Sequence, residues 1–524
     1  MNHLFWFTPE MITIRIPIPI TRYFRNMRYS YLLLPFLLLT ACTPTATPTT
    51  TSPPSAKYTP DWASLRQQTT PDWFRDAKFG IYFHWGPYSV PAYGNEWYAH
   101  HMYRPGHDMR RHHEATYGPL DEFGYKDFIP MWKGEQFDAA NWVDLFKRSG
   151  AKFVGSMGEH ADGFALWDSK LTEWDAVDKG PRRDIVAEME RATRAAGLKF
   201  AVTYHRQWLY AWYPTWDETT DAADPAYAGL YGPKLPAGTF VMAEEPTDPL
   251  PDAAFNQEWL DRLLELTENY RPDLVWFDNK MDIIGEDFRR EFLARYYNQG
   301  DSLDQEVVVT YKFHDLDPEA AVIDLERARM SEAQPFPWLT DDSVDWNSWS
   351  HTNDPDYKSA NRMIDMLVDI VSKNGCLLLN VPPTADGVIP EPVRERLLAM
   401  GEWLATNGEA IYGSRPWVIY GEGPTQVTEG HLSERENADN TAADVRFTVR
   451  DGFLYATALG WPAGDFLVKT LATGAEYHRP VTKVELLGHP GELEWEQTAE
   501  GLRITPPPVA DDAFAYTFRL TTQP

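Results

Sequence analysis

Cysteine is almost missing: the 524-residue chain has two, Cys42 and Cys376. A disulfide-built scaffold is thereby excluded, and the fold must be held by burial of apolar surface. Basic residues are in deficit, with 48 Lys and Arg against 77 Asp and Glu, a net charge of −29. Such a surface repels nucleic acid phosphates and anionic lipid headgroups, so neutral or cationic substrates fit better. There is no internal repeat and no Gly-rich phosphate loop. Long apolar runs are also lacking, since Tyr31–Leu39 is interrupted by Pro35 and is too short to cross a bilayer comfortably. What is present is a globular composition, 43% hydrophobic, in a chain too long for one ordinary core. Two folded domains and a leader are therefore expected.

The leader is residues 1–42. Arg22, Arg25 and Arg28 precede the run Tyr31–Leu39, which reads as a signal peptide. The tetrad Leu39-Thr40-Ala41-Cys42 resembles the lipobox of bacterial lipoproteins, which implies acylation of Cys42, export, and anchoring at the bacterial cell envelope through that lipid alone. Residues before Met27 add nothing a signal peptide needs, so translation is expected to start there. Residues 43–57 are a Thr/Pro-rich linker without apolar anchors, expected to be extended. With Cys42 acylated, Cys376 has no partner for an intrachain disulfide.

From 58 to 414 short apolar runs alternate with amphipathic helices. Lys78–Phe83, Lys152–Met157, Leu198–Tyr204, Leu274–Phe277, Val307–Tyr311, Ala321–Leu325 and Cys376–Val381 read as strands. Arg183–Ala196, Phe255–Tyr270, Glu286–Asn298 and about Ser359–Lys373 read as helices. This order predicts an α/β fold with a mostly parallel sheet closed into a (β/α)8-like TIM barrel. His84, His160, His205, Asp278, Lys312 and Glu326 fall at or just past strand ends, positions that converge on one pocket in a barrel. Asp278 after Leu274–Phe277 is a candidate nucleophile; its other reading is an Asp that caps the following turn. In residues 415–524 the period changes to two. Val445, Phe447 and Val449 alternate up to Asp451-Gly452, Phe453 and Tyr455 continue beyond it, and Phe514–Leu520 alternate again. That pattern predicts a hairpin within an antiparallel β-sandwich, with no acid–base constellation of its own.

Several long motifs occur in the order found in glycoside hydrolase family 29, the α-L-fucosidases, and the chain resembles that family. They are WFRDAKFGIYFHWGPYSVPA at Trp73–Ala92, Glu96-Trp97-Tyr98, Asp162-Gly163-Phe164 with Leu166–Ser169, and Gly180–Val186. Val275–Asp278, SKNGCLLLNVPPTADGVIP at Ser372–Pro390 and NGEAIYGSRPW at Asn407–Trp417 complete the set. The resemblance implies a retaining exo-glycosidase acting on terminal α-L-fucosyl residues of oligosaccharides or glycoconjugates, without cofactor. Asp278 matches the family nucleophile, and Glu326 in VIDLER aligns best with its acid/base, with Glu332 and Asp324 in reserve. The other reading of Glu326 is a surface carboxylate paired with an Arg. Retaining chemistry needs one carboxylate ionised and its partner protonated near neutral pH. His84, His160 and Lys312 are candidate donors to the sugar, and Trp85, Trp97, Trp167 and Trp276 are candidate apolar platforms for it. Glu96, Tyr204 and His205 complete the expected binding set.

This chain departs from the family where Lys-His-His usually precedes Asp-Gly-Phe. It has Glu159-His160-Ala161, and Thr203-Tyr204-His205 where Tyr-Tyr-Ser is usual. His205 is expected to use space that Ala161 vacates, so restoring His at 161 should raise kcat/KM on an aryl fucoside. The altered motif leaves two alternatives open: a carbohydrate-binding lipoprotein with impaired catalysis, and a glycosidase for another fucose-configured sugar. His100, His101, His107, His112 and His113 have no tetrahedral zinc spacing, so no metal is expected there. Linkage, aglycone and oligomeric state are open.

Overall fold

The structure is a computed structural model that describes residues 56–240, 250–462, 464–508 and 514–523. The leader, Cys42 and the Thr/Pro tract up to Ser55 lie outside the described residues. Eight parallel strands close into a barrel: β1 (Phe79–Phe83), β2 (Phe153–Glu159), β3 (Lys199–Tyr204), β4 (Leu274–Phe277), β5 (Val308–Lys312), β6 (Val322–Asp324), β7 (Trp338–Ser343) and β8 (Gly375–Val381). Strand β8 pairs back onto β1, with Phe79 opposite Leu377 and Phe83 opposite Val381. The strands are buried along nearly their whole length, as runs such as FGIYF, LVWF and GCLLLNV require of parallel strands covered on both faces. Outer helices Ala139–Arg148, Ile185–Ala195, Ala253–Tyr270 and Ala360–Ser372 each begin at a side-chain cap. Asp138, Asp184, Asp252 and Ser359 accept from the backbone N–H three residues on. The helix Ala253–Tyr270 ends at Arg271 in the left-handed region, and Pro272 then turns the chain into β4.

Seven of these strands match the apolar runs in the sequence; β7, WLTDDS, does not stand out there. Its two acids end the apolar pattern early. Both are nonetheless buried, because Lys312 lies 3.1 Å from Asp341 and Lys358 lies 2.5 Å from Asp342. Among the described residues no α-helix follows β5 or β6. A loop from the C-terminal region lies against the chain just past β6. There Leu432 N–H donates to the Glu326 carbonyl and Glu434 N–H to the Arg327 carbonyl, both at 3.0 Å.

Antiparallel sheets form the C-terminal region. Its strands are β9 (Arg415–Glu422), β10 (Val445–Arg450), β11 (Phe453–Ala458), β12 (Phe466–Val468), β13 (Val481–Leu486), β14 (Glu494–Gln497), β15 (Leu502–Thr505) and β16 (Tyr516–Thr522). One sheet runs β13-β16-β11-β10-β9 and the other β12-β15-β14. Phe447, Leu454, Phe466, Leu502, Ile504 and Phe518 share a single core. Asp451 and Gly452 both take positive φ, 51° and 83°, the two-residue turn that suits the twist of the β10–β11 hairpin.

Candidate active site

Each barrel strand supplies a polar side chain from its carboxyl-terminal half or just past its end. In order these are His84, His160, His205, Asp278, Lys312, Glu326, Asp341 and Asn380. All but Asn380 line one cavity of about 750 Å³. Asn380 sits behind it, its Oδ1 2.9 Å from His84 Nδ1. The rings of His84, His160 and His205 form a triangle with centroids 5.3, 5.5 and 4.8 Å apart. His205 Nδ1 lies 3.4 Å from Asp278 Oδ2, and Trp276 packs beside His205 with ring centroids 5.0 Å apart.

Lys312 is the electrostatic centre. Its ammonium, only 2% exposed, stands 2.8 Å from Glu326 Oε2, 3.1 Å from Asp341 Oδ1 and 3.4 Å from Asp278 Oδ1, over the face of Trp276. Since Asp278 Oδ1 and Glu326 Oε2 share that ammonium, they lie no more than about 6 Å apart. Burial pushes the Asp278 carboxyl upward, but Lys312 and then His205 outweigh it and hold the group well below the usual carboxylate range. Burial would lower Lys312; Asp341, Glu326 and Asp278 together raise it well above the ordinary lysine value. Burial moves Asp324 up to about 6 against the pull of Lys312, and it raises Asp341 strongly, with Asp324 adding to the rise. The same loss of water lowers His84 to about 3, with His205 contributing, and holds His160 well below the usual imidazole value. The pocket thus sets a carboxyl held low, Asp278, beside a buried one pushed high, Asp341.

Of the other residues expected to touch substrate, Glu96 and Trp97 line the cavity. Glu96 accepts from the Trp349 N–H at 2.9 Å. Three do not reach it. Trp85 is buried behind the wall, edge-on to Trp132, and donates to the Thr384 carbonyl at 2.7 Å. Trp167 donates to Glu265 at 2.8 Å beneath the Arg262 guanidinium. Tyr204, the last residue of β3, points outward and donates to the Trp259 carbonyl at 3.1 Å. These three lie in or next to the matched motifs but hold the scaffold. Of the reserves, Asp324 is buried under Trp276 Nε1 at 2.8 Å and Glu332 is exposed outside the cavity. In the Asp-Gly-Phe motif, Gly163 has φ 81°, and a Cβ there would meet the Leu230 carbonyl at 2.5 Å, so only glycine fits.

Asp341, Arg327, Trp349 and the loop residues His431, Leu432, Glu434 and Arg435 line the cavity without a signal in the sequence. The C-terminal region therefore does contribute acid–base groups, contrary to the reading of it as having none: His431 Nε2 is 3.8 Å from Glu326 Oε2. Within the His100–His113 cluster, His100 and His113 are fixed by backbone carbonyls of Trp212 and Phe123. His101 and His107 stack at 4.1 Å and line the cavity rim.

A closed parallel barrel with two carboxylates facing each other across one cation, inside a wall of histidine and tryptophan, defines a barrel-type glycoside hydrolase. The family model described as Alpha-L-fucosidase matches residues 45–409, and that of the Alpha-L-fucosidase C-terminal domain matches 437–521. The chain belongs to the α-L-fucosidase family, glycoside hydrolase family 29. It is 33% identical to tissue α-L-fucosidase of Rattus norvegicus over 479 residues, 88% of this chain and 92% of the relative. It is 32% identical to the Homo sapiens tissue enzyme, over 89% of this chain and 92% of that one. The crystal structure of Thermotoga maritima α-fucosidase superposes with a TM-score of 0.70 at 29% identity, covering 88% of this chain and all of the other. The same protein in complex with fucose gives 0.69, again at 29% identity over 88% and all of the two chains.

Proposed function

We propose that the protein removes terminal α-L-fucosyl residues from glycans by double displacement, with Asp278 as nucleophile and Glu326 as acid/base. The observation that carries this is the shared contact with Lys312. It keeps the two carboxylate oxygens within about 6 Å, close to the roughly 5–5.5 Å of retaining pairs and below the gap that inverting enzymes leave for a water. In the first step an Asp278 oxygen attacks the anomeric carbon while Glu326 gives its proton to the departing glycosidic oxygen. The product is a glycosyl ester on Asp278. In the second, Glu326, now a carboxylate, takes a proton from water, which attacks the same carbon and releases the sugar and Asp278.

His84, His160, His205 and Glu96 are suited to hydrogen-bond the sugar hydroxyls, and Trp97 and Trp276 to cover its apolar edge. Asp278 is a nucleophile at any ordinary pH, because its carboxyl stays ionised. A mechanism-based 2-fluoro fucoside should add one label per chain, and the labelled peptide should contain Asp278; a label on another side chain sinks the assignment. Turnover of 4-nitrophenyl α-L-fucoside should vanish in Asp278→Ala.

The leader supports placing the enzyme outside the cytoplasm, lipid-anchored through Cys42 at the envelope. Mass spectrometry of the native N-terminus should find an acylated Cys42; a free, unlipidated Met1 counts against it.

A further inference from the structure

We infer that His84, His160 and His205 together form a binding site for a divalent transition metal ion such as zinc, at the floor of the cavity. Each imidazole offers one nitrogen, and the three nitrogens lie within 4.8 Å of one another. All three residues are buried yet border the cavity, so an ion can reach them from solvent.

The surroundings orient the rings as metal-bound histidines are oriented. Asn380 Oδ1 accepts from His84 Nδ1–H at 2.9 Å, which leaves Nε2 as the free lone pair. Asp278 Oδ2 faces His205 Nδ1 at 3.4 Å, leaving Nε2 free on the far edge of the ring. That Nε2 and Nδ1 of His160 are buried nitrogens with no hydrogen-bond partner. Buried polar atoms without partners are costly, and a ligand that takes both lone pairs removes the cost. Three imidazoles with a fourth position open to the cavity match the donor set of an open zinc site. Bonds of about 2.0–2.1 Å place tetrahedral nitrogens about 3.4 Å apart, so binding draws the rings slightly inward. Asp278, on the Nδ1 side of His205, then acts as a neighbouring carboxylate rather than a ligand.

Resting on the proposed sugar contacts, the ion occupies the place of the sugar hydroxyls. Zinc should therefore raise KM for 4-nitrophenyl α-L-fucoside with kcat unchanged, and a chelator should reverse it. Direct binding is tested independently of activity, on tag-free, chelator-stripped protein. Co²⁺ titration should give four-coordinate visible bands saturating at one ion per chain. Asn380→Ala should weaken binding about 10–100-fold, and His205→Gln at least as much. Should those variants fail to fold, X-ray absorption of the zinc-loaded wild type decides, with three imidazole nitrogens at about 2.0–2.1 Å expected. No stoichiometric binding, fewer than three imidazoles, or undiminished binding in folded His205→Gln overturns the site. Any of these, alongside a 2-fluoro label on Asp278, would leave the hydrolase reading standing.

Discussion

Lys312 is one buried cation among Asp278, Asp324, Glu326 and Asp341, and the charge state of the whole pocket turns on it. Asp278 has a depressed folded-state pKa. Its ion pair therefore contributes stability above the unfolded carboxylate value near 3.9, and that contribution is lost only as pH falls through the depressed value. Lys312→Met should lower kcat/KM at neutral pH by about 10²–10³-fold, as loss of a preorganised charge does. The acid limb of its pH profile should also move to higher pH, because Asp278 then titrates nearer the ordinary range. An unmoved acid limb would mean that His205 and the Asn279 N–H, 2.8 Å from Asp278 Oδ1, hold the charge alone. The expected benefit of Ala161→His is revised by the structure. Ala161 is buried and does not line the cavity, so an imidazole there is overpacked. Thermal unfolding should report a loss of about 1–3 kcal/mol, with no gain in kcat/KM.

At the level of elements, legibility followed the apolar runs. His84, His160, His205, Asp278 and Lys312 were readable because each ends a run too apolar to be surface. Strand β7 was not, since Asp341 and Asp342 resemble a polar loop until the lysines that neutralise them, distant in sequence, are brought beside them. Nor was the loop that carries His431 and Glu434, whose neighbours across the mouth are set by tertiary contact alone. Trp85, Trp167 and Tyr204 show the opposite error: residues in or beside family motifs that serve the core. The loop is held by Glu434, which accepts from Arg327 at 2.6 Å and pairs with Lys358. Glu434→Ala leaves Arg327 with backbone carbonyls and Lys358 with Asp342 alone, and should cost about 1–3 kcal/mol. It should also raise KM, since Arg327 and the Leu432 turn form cavity wall. A thermal midpoint equal to wild type would show that Asp342 satisfies Lys358 and Arg327 unaided.

Across the whole molecule, the C-terminal sheets act as part of the barrel's outer shell. Arg446 on β10 donates to Asp369 at 2.6 Å on the helix Ala360–Ser372, and Trp403 of the helix Glu391–Asn407 donates to the Ala515 carbonyl at 2.7 Å. Burial raises Asp369, but Lys373, Arg446 and Arg329 outweigh it and hold its carboxyl well below the usual range. A chain ending at Ser414 loses Arg446, the Ala515 carbonyl, the Glu434 clamp and the wall from His431 to Arg435 in one cut. It also uncovers helical surface on Ala360–Ser372, of which every residue from Arg362 on is buried in the intact chain. Exposed apolar surface of that kind drives association. The truncated protein should therefore be aggregation-prone, and any soluble fraction should show a raised KM. A monomeric, cooperatively unfolding barrel with unchanged KM on 4-nitrophenyl α-L-fucoside would show instead that β1–β8 and their helices build the complete sugar site, leaving the sheets a separate role.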